Sequence, residues 1–458
     1  MLHPDRLFPS EPALRDLARG LYAAMSLCPI VSPHGHTDPQ WWGENPAFED
    51  AAALFVIPDH YVTRMLVSQG VPFEAFAPER DRREVWRLFA QHYTLFAGTP
   101  SRLWIDHSLQ EVFGLKTRLS PATADDYFDA IGEALAQPAF RPRALYDRFG
   151  IEVIATTDSP LDDLRHHRAV AQSDWGGRVL PTYRPDAVID PQTPDWQKNL
   201  DLFGALTGCD TGTWQGYLEA HRLRRGFFIA HGATASDHGH PSAYTADLPQ
   251  AEAAALFDRL RAGKPQAGDE ELFRGQMLTE CARMSIEDGL VMQLHAGSFR
   301  NHNRAVFAKY GRDRGFDIPQ AAEFTRALKP LLDAFGMDNR LRLILFTLDE
   351  ATYARELAPL AGAYPALRLG PPWWFHDSFE GIKRFRAMAT ETAGFYNTVG
   401  FNDDTRALCS IPARHDVSRR SDAAFLAELV ASHRLDEEEA YALAPLLASG
   451  LAKEAYRL

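Results

Sequence analysis

The chain has 458 residues with a formal net charge of -13, and 45% of its residues are apolar. This length is sufficient for one large core, such as a barrel with a sizeable insertion. The negative charge disfavours a polyanionic partner, so we do not expect nucleic acid.

The cysteines are scattered along the chain without a C-x-x-C pair, which excludes a zinc-thiolate motif. They are Cys28, Cys209, Cys281 and Cys409. Such spacing is typical of a reducing compartment and leaves histidine and carboxylate as the ligands for any metal. Residues 1–6 lack the basic-then-apolar pattern of a signal peptide, and no apolar stretch is long enough to span a bilayer. We therefore expect a cytoplasmic protein with no membrane partner.

Eight short apolar runs recur along the chain, and each ends in a polar or aromatic side chain. The predicted strands are Pro29–His36, Ile151–Asp158, Arg178–Pro185, Phe227–Gly232, Val291–Gly297, Leu341–Asp349, Leu367–Trp374 and Tyr396–Asp404. The intervening segments have helical character; residues 321–335, for example, place apolar side chains at helical spacing. Strands alternating with helices predict an α/β fold, a distorted (β/α)₈ TIM-type barrel. A doubly wound sheet is disfavoured because no strand is followed by a G-x-G-x-x-G or Walker-type loop.

The first two predicted strands are separated by a long gap. We expect residues 38–148 to form a mostly helical subdomain inserted after strand 1, within a single barrel domain spanning residues 1–458. One of its helices is expected to begin at Ser120-Pro121 and to end by Pro138. Because strand 1 ends at the active-site face, residues 59–64 are predicted to reach over the barrel mouth. An ordinary surface turn is the alternative.

Candidate metal ligands lie at the ends of the first and last predicted strands. In His34-Gly35-His36, alternation directs both imidazoles to the inner face of strand 1. Asp404 ends strand 8, which neighbours strand 1 in a closed barrel, so it can complete a three-ligand open site. The alternative is a pair of hydrogen-bonded surface histidines.

Further polar side chains end other predicted strands. His295 ends strand 5 and is expected to be a metal ligand, a substrate contact or a barrel-core histidine, whereas His231 is more ambiguous. Arg184 and Arg406 would bring two guanidinium groups to the mouth, which favours an anionic substrate. Alternatively each arginine pairs with a nearby acid such as Asp186.

Trp373 and Trp374 end predicted strand 7. We expect them either to form a flat apolar wall against a sugar or to pack at the barrel rim. Together with the preceding motifs, this pair completes an ordered set of short segments spanning nearly the whole chain. The segments are Ser32-Pro33-His34-Gly35-His36-Thr37-Asp38-Pro39, Thr156-Thr157-Asp158-Ser159-Pro160, Leu180-Pro181-Thr182-Tyr183-Arg184-Pro185-Asp186, Gln293-Leu294-His295-Ala296-Gly297 with Arg300-Asn301, Trp373-Trp374-Phe375, and Asp404-Thr405-Arg406. The set resembles the uronate isomerase family, also called glucuronate isomerase, of the amidohydrolase superfamily.

The resemblance implies interconversion of D-glucuronate with D-fructuronate and of D-galacturonate with D-tagaturonate. It implies one divalent ion, zinc by expectation, held by His34, His36 and Asp404. The substrate contacts that it implies are Tyr61, Arg184, His295, Arg406 and one of Trp373 and Trp374, and Asp237 falls where the family has an acidic motif. The expected partners are a small-molecule sugar acid and further copies of the chain in a homo-oligomer.

Aldose-ketose isomerisation by proton transfer through a cis-enediol needs a base and groups that neutralise oxygen charge. Asp404 or Tyr61 is the predicted catalytic base, with Tyr61 requiring a depressed pKa, and Arg406 and Arg184 are predicted to neutralise negative charge. The alternative is a mononuclear metal-dependent hydrolase or deaminase of the same superfamily. It is disfavoured because predicted strand 6 offers no histidine and predicted strand 4 offers only His231.

Overall fold

A computed structural model describes residues 2–77 and 79–458 of the chain. Parallel strands build its centre, and their bounds are β1 Ile30–Ser32, β2 Ile151–Ala155, β3 Val179–Leu180, β4 Ala235–His238, β5 Val291–Ala296, β6 Leu343–Thr347 and β7 Leu367–Leu369. β1, β2 and β3 pair in that order, as do β4, β5, β6 and β7. Tyr183 joins the two groups, because its N–H donates to Ala235 and its carbonyl accepts from Asp237. The result is a (β/α)₈ barrel, as predicted.

The eighth position of the barrel is filled by an irregular segment that closes it. Val399 N–H donates to the Leu369 carbonyl of β7, and His36 N–H donates to the Thr405 carbonyl, each at 3.0 Å. The prediction of a regular strand over residues 396–404 is wrong, because the backbone turns left-handed at Gly400 (φ 74°) and Asp404 (φ 40°) and leaves extended geometry there.

The fourth predicted strand, Phe227–Gly232, is also wrong. Residues 227–230 form the end of the helix Trp214–Ala230, and β4 lies at Ala235–His238 instead. Phe228 of this run lies on the buried face of the helix, and periodicity alone cannot distinguish a short apolar segment of a helix from a strand. His231 accordingly lies beyond the helix end with Nδ1 2.7 Å from the Phe227 carbonyl, rather than at the barrel mouth.

The helix predicted within residues 321–335 is shorter in the structure, at Lys329–Phe335. The Glu356 carboxylate accepts hydrogen bonds from the backbone N–H groups of Phe324 (2.7 Å) and Thr325 (3.1 Å). These bonds hold the first part of the segment in turns, so a long-range contact overrides its local helical pattern.

Helices surround the strands and fill the region between β1 and β2. Those between β1 and β2 are Pro39–Glu44, Ala51–Phe55, His60–Ser68, Arg82–Gln91, Pro100–His107, Ala124–Leu135 and Pro142–Arg148. The other helices are Pro12–Ser26, Arg165–Ala171, Asp186–Ile189, Trp196–Thr207, Trp214–Ala230, Gln250–Arg261, Asp269–Asp288, Arg304–Tyr310, Lys329–Phe335, Ala358–Ala363, Phe379–Ala393, Ile411–Ala431, Glu437–Pro445 and Leu451–Tyr456. A two-stranded antiparallel ribbon pairs Ser298–Phe299 with Ile318–Pro319. Among the described residues, no helix is both long and apolar enough to cross a membrane.

The helical insertion packs on the barrel wall rather than around a core of its own. Its buried aromatic residues Trp86 and Phe89 belong to the same apolar cluster as Ile30 of β1 and Ile151 of β2. The helix expected after Ser120-Pro121 begins with a short 3₁₀ turn and continues as Ala124–Leu135. The division into one domain, 1–458, with an inserted subdomain, 38–148, stays a prediction.

Candidate active site

A cavity of about 520 Å³ opens at the carboxyl ends of the barrel strands. Every candidate site residue from the sequence lies on its wall: His34, His36, Tyr61, Arg184, Asp237, His295, Trp373, Trp374, Asp404 and Arg406. The barrel brings them together because parallel strands end on one face and successive βα loops form one mouth. Residue Asp349, at the end of β6, instead accepts hydrogen bonds from the backbone of Ala322 and Ala351.

The two histidines after β1 converge on one oxygen of Asp404. Oδ1 of Asp404 lies 3.3 Å from Nε2 of His34 and 3.1 Å from Nε2 of His36. Thr157 helps to hold this turn, because its hydroxyl donates a 2.9 Å hydrogen bond to the Gly35 carbonyl. The left-handed backbone at Asp404 (φ 40°) turns the carboxylate towards the imidazoles.

The chemistry of these three side chains fits a divalent cation. Two imidazole nitrogens and one carboxylate oxygen lie within 4.8 Å of one another, and they are the ligand types of an open zinc-like site. Oδ1 of Asp404 is buried and has no hydrogen-bond partner among the described residues. Burial lowers the pKa of His36, which keeps its imidazole neutral and able to ligate. A cation would therefore satisfy a buried oxygen that the described protein groups leave unpaired.

A second group that could hold a metal consists of His34, Asp237 and His295. Here Nδ1 of His295 lies 2.7 Å from Oδ1 of Asp237, and an Arg184 nitrogen lies 3.3 Å from Oδ2 of Asp237. Burial would raise the pKa of Asp237, but the charges of His295 and Arg184 outweigh it and hold that pKa well below its ordinary value. Because the permanent charge of Arg184 already neutralises this carboxylate, the Asp404 group is the better candidate for the ion.

The two arginines expected to grip a carboxylate have different surroundings. Nε of Arg184 donates to Asp186 at 2.8 Å, and the same guanidinium lies beside Asp237. Arg406 also lines the cavity, but within the described part of the chain it forms no ion pair. Of these two guanidinium groups, that of Arg406 is free for an anionic ligand, whereas that of Arg184 contacts two carboxylates.

Tyr61 comes from the insertion, in the first turn of the helix His60–Ser68. Asp59 caps this helix by accepting from the Tyr61 and Val62 N–H groups at 2.8 and 3.3 Å. The ring packs edge-on against Trp104, and the guanidinium of Arg414 lies 5.7 Å from its centroid. Burial raises the pKa of the phenol well above its ordinary value. The expectation of a depressed pKa is therefore wrong, and Tyr61 is protonated at neutral pH.

The two tryptophans have different surroundings, one packed against the site histidine and the other forming an aromatic wall. Trp373 is 6% exposed and packs edge-on against the His295 ring, with centroids 4.9 Å apart. Trp374 stacks on Phe375 and lies 5.1 Å from His60, and its backbone is left-handed (φ 51°). A bulky residue in that conformation is costly, which is typical of a functional wall held by its surroundings.

Sequence reasoning missed part of the wall. Additional lining residues from the insertion and from the segment after β5 include Trp41, Phe48, Leu54, Arg312 and Asp313. No periodic pattern marks them. The βα-loop rule for barrels could have drawn attention to the segment after β5.

Comparison with known proteins agrees with this geometry. The family model described as glucuronate isomerase matches residues 13–447. The uronate isomerase of Rhizobium meliloti (strain 1021) is 61% identical over 466 residues, covering 100% of this chain and 99% of the relative. The crystal structure of glucuronate isomerase from Caulobacter crescentus superposes with a TM-score of 0.99 at 57% identity, covering 100% of this chain and 97% of that one. The uronate isomerase structure from Thermotoga maritima gives 0.94 at 28% identity, with 100% of both chains covered. The chain therefore belongs to the glucuronate isomerase family.

Proposed function

We propose that this protein interconverts the aldose and ketose forms of uronic acids, D-glucuronate with D-fructuronate and D-galacturonate with D-tagaturonate. The observation that carries the proposal is one cavity containing both a cation-binding triad and the unpaired guanidinium of Arg406. A sugar acid presents an oxygen-rich reacting end and a carboxylate, which suit these two groups. Family membership supports the same reaction.

A proton-transfer mechanism follows from the groups in the cavity. Asp404 directs Oδ1 at the imidazoles, and its partly exposed side chain leaves the second oxygen for the substrate. We assign this carboxylate as the base that takes the C2 proton and returns it to C1 through a cis-enediol, while the hydroxyl proton moves from O2 to O1. Tyr61, protonated because burial raises its pKa, donates a hydrogen bond to the oxygen that gains charge.

A divalent cation held by His34, His36 and Asp404, which we propose to be zinc, would stabilise negative charge on the substrate oxygens when bound. Arg406 binds the substrate carboxylate. Arg184 holds Asp237, which in turn orients His295, so these three residues form a rigid, charge-balanced wall beside the triad.

We also propose a cytoplasmic location, a homo-oligomeric state and a small-molecule sugar acid as the substrate of the site. The four cysteines are free thiols, which fits a reducing compartment. Native mass measurement of the purified protein tests the oligomeric state, and cell fractionation tests the location.

The direct test is NMR of the purified, zinc-loaded protein with D-glucuronate and, separately, with D-galacturonate. We expect the ketose resonances of D-fructuronate and D-tagaturonate to grow at the expense of the aldose signals. No conversion of either sugar after loading with zinc, manganese or cobalt would overturn the proposal. Hydrolysis or deamination of an amide or amidine substrate in the same preparation would instead support the mononuclear hydrolase alternative.

A further inference from the structure

Asp158 is a buried carboxylic acid on the wall of the cavity, and the mechanism above does not use it. It follows β2, and its side chain is 3% exposed. The backbone places it between the two halves of the site. The hydroxyl of the neighbouring Thr157 donates to the Gly35 carbonyl within the metal-binding turn. The backbone carbonyl of Asp158 accepts a hydrogen bond from the Arg184 N–H at 2.9 Å.

One oxygen of this carboxyl group is fully engaged by the protein. Oδ2 accepts from the Thr156 hydroxyl at 2.7 Å and from the Thr182 N–H at 3.3 Å. Nε2 of His167 lies 2.8 Å from the same hydroxyl, so a chain of hydrogen bonds fixes the orientation of the acid. The structure gives Oδ1 no partner among the described residues, and the residue lines the cavity, so Oδ1 is the atom available to a ligand.

Within the part of the chain that the structure describes, no cationic side chain neutralises Asp158. His167, the nearest candidate, lies 3.8 Å from Oδ2, but burial lowers its pKa to about 4 and leaves it neutral. Burial likewise raises the pKa of Asp158 to about 7, an effect strengthened by the charge of Asp162 and opposed by the hydrogen bond from Thr156. A ligand that enters the cavity displaces water from Oδ1 and has to replace its hydrogen bond, because a polar oxygen left without a partner is costly.

We infer that Oδ1 of Asp158 binds a hydroxyl group of the open-chain sugar acid and is a specificity-determining contact. This inference rests on the proposed function and deepens it. A hydroxyl group both donates and accepts, so it matches this acid in either protonation state, whereas the substrate carboxylate would be repelled by the ionised form. The sugar acid carries hydroxyl groups at C3, C4 and C5 that do not react, and one of them is the partner of Asp158.

The test compares Asp158→Ala and Asp158→Asn with wild type, with Asp349→Asn as the matched control. Asp349 also follows a barrel strand, but its carboxylate accepts hydrogen bonds from backbone N–H groups outside the cavity. KM and kcat are measured with the natural uronates and with their 3-, 4- and 5-deoxy analogues, and zinc content and thermal melting confirm that each variant is folded and loaded.

We expect Asp158→Ala to raise KM for the natural sugar about 10- to 100-fold while kcat changes less than about threefold. One deoxy analogue should have the same raised KM with wild type and with Asp158→Ala. Asp158→Asn, which keeps a hydrogen-bonding group, should lie between the two. The control should behave as wild type.

Wild-type KM in Asp158→Ala, or an unchanged deoxy penalty for all three analogues in that variant, would overturn the inference. If Asp158→Ala does not fold, Asp158→Asn decides by the same comparison. Failure of wild type to convert either uronate would overturn the proposed function separately. Calorimetric titration with the non-isomerising acid D-glucarate then tests the contact alone, and equal affinity for wild type and variant would contradict it.

Discussion

Nε2 of His36 lies 3.1 Å from Oδ1 of Asp404. These residues follow the first strand and the irregular eighth position of the barrel, so the contact spans the seam at which the barrel closes. Since the oxygen has no hydrogen-bond partner among the described residues, a bound cation would cross-link the two ends of the barrel. Such a cation would stabilise the fold by mass action as well as serve the reaction.

We expect one divalent ion per chain, because two imidazoles and one carboxylate form a single open site. Elemental analysis of the purified protein measures it. His36→Ala should lose most of the ion, whereas His231→Ala should keep it, because Nδ1 of His231 bonds to the backbone of its own helix. Two ions per chain in wild type would contradict the mononuclear assignment.

Arg406→Met should lower kcat/KM for uronates about 30- to 1000-fold with little change in melting temperature. The reason is the loss of a charge-assisted contact to the substrate, which costs about 2 to 4 kcal/mol. Steady-state kinetics and thermal melting measure the two effects. Wild-type kcat/KM in this variant would remove the argument for an acid substrate.

Arg184→Met should instead lower both activity and stability. Its loss leaves the buried carboxylate of Asp237 without one of its cationic neighbours and removes the partner of Asp186. Thermal melting and steady-state kinetics distinguish this structural role from a purely substrate-binding one, with Arg340→Met as an exposed control. An Arg184→Met protein with wild-type melting and impaired kcat/KM would indicate a purely substrate-binding role.

The isomerisation run in D₂O should place deuterium at the exchanged carbon, because an acid-base group carries the proton between C2 and C1. Partial incorporation is also expected where the carboxylate returns the proton before it exchanges with solvent. Complete retention of the original hydrogen, together with a requirement for two metals, would assign the enzyme to the hydride-shift class.

Tyr61→Phe should lower kcat by about 10²- to 10⁴-fold, since it removes the hydrogen-bond donor to the charged oxygen.

Asp158→Asn should stabilise the protein at pH 8 more than at pH 5. Burial raises the folded-state pKa of Asp158 to about 7 from its ordinary 3.8. Between these values the folded state binds more protons than the unfolded state, so wild-type stability falls as the pH rises from about 4 to about 7. The loss of wild-type stability is at most about 4 kcal/mol over the whole range and about 2.5 kcal/mol between pH 5 and pH 8, whereas asparagine does not titrate. Melting curves of both proteins at the two pH values measure it; parallel curves would contradict the shift.

Arg386→Met should destabilise the fold by about 3 to 5 kcal/mol, because it leaves the buried Asp422 carboxylate unpaired. The same guanidinium also bonds Thr398 and Gly400 beside the eighth barrel position. Urea unfolding measures the loss, and Arg340→Met is again the exposed control. Adding Asp422→Leu to Arg386→Met should recover part of the stability; no recovery would mean that lost packing, not the unpaired charge, dominates.

Local patterns in the sequence were sufficient to predict the barrel and most of its mouth. His34 and His36 follow β1 at alternate positions, and a parallel barrel gathers the polar residues beyond its strand ends whatever the details of packing. The candidates at the strand ends therefore reach one cavity, and Tyr61 and Asp237, which the family resemblance implied, line it as well. The prediction of strand 4 at residues 227–232 was wrong because a short apolar run has the same composition in a helix end and in a buried strand.

Only the tertiary structure determines which charged and apolar groups surround each of these side chains. Arg184 and Arg406 look alike in sequence, yet only the folded chain places Asp186 and Asp237 against the first and leaves the second free. Burial likewise raises the phenol pKa of Tyr61 and leaves one oxygen of Asp158 open to the cavity. Charge pairing and desolvation depend on which distant segments meet, and the linear pattern of residue types carries no information about those distances.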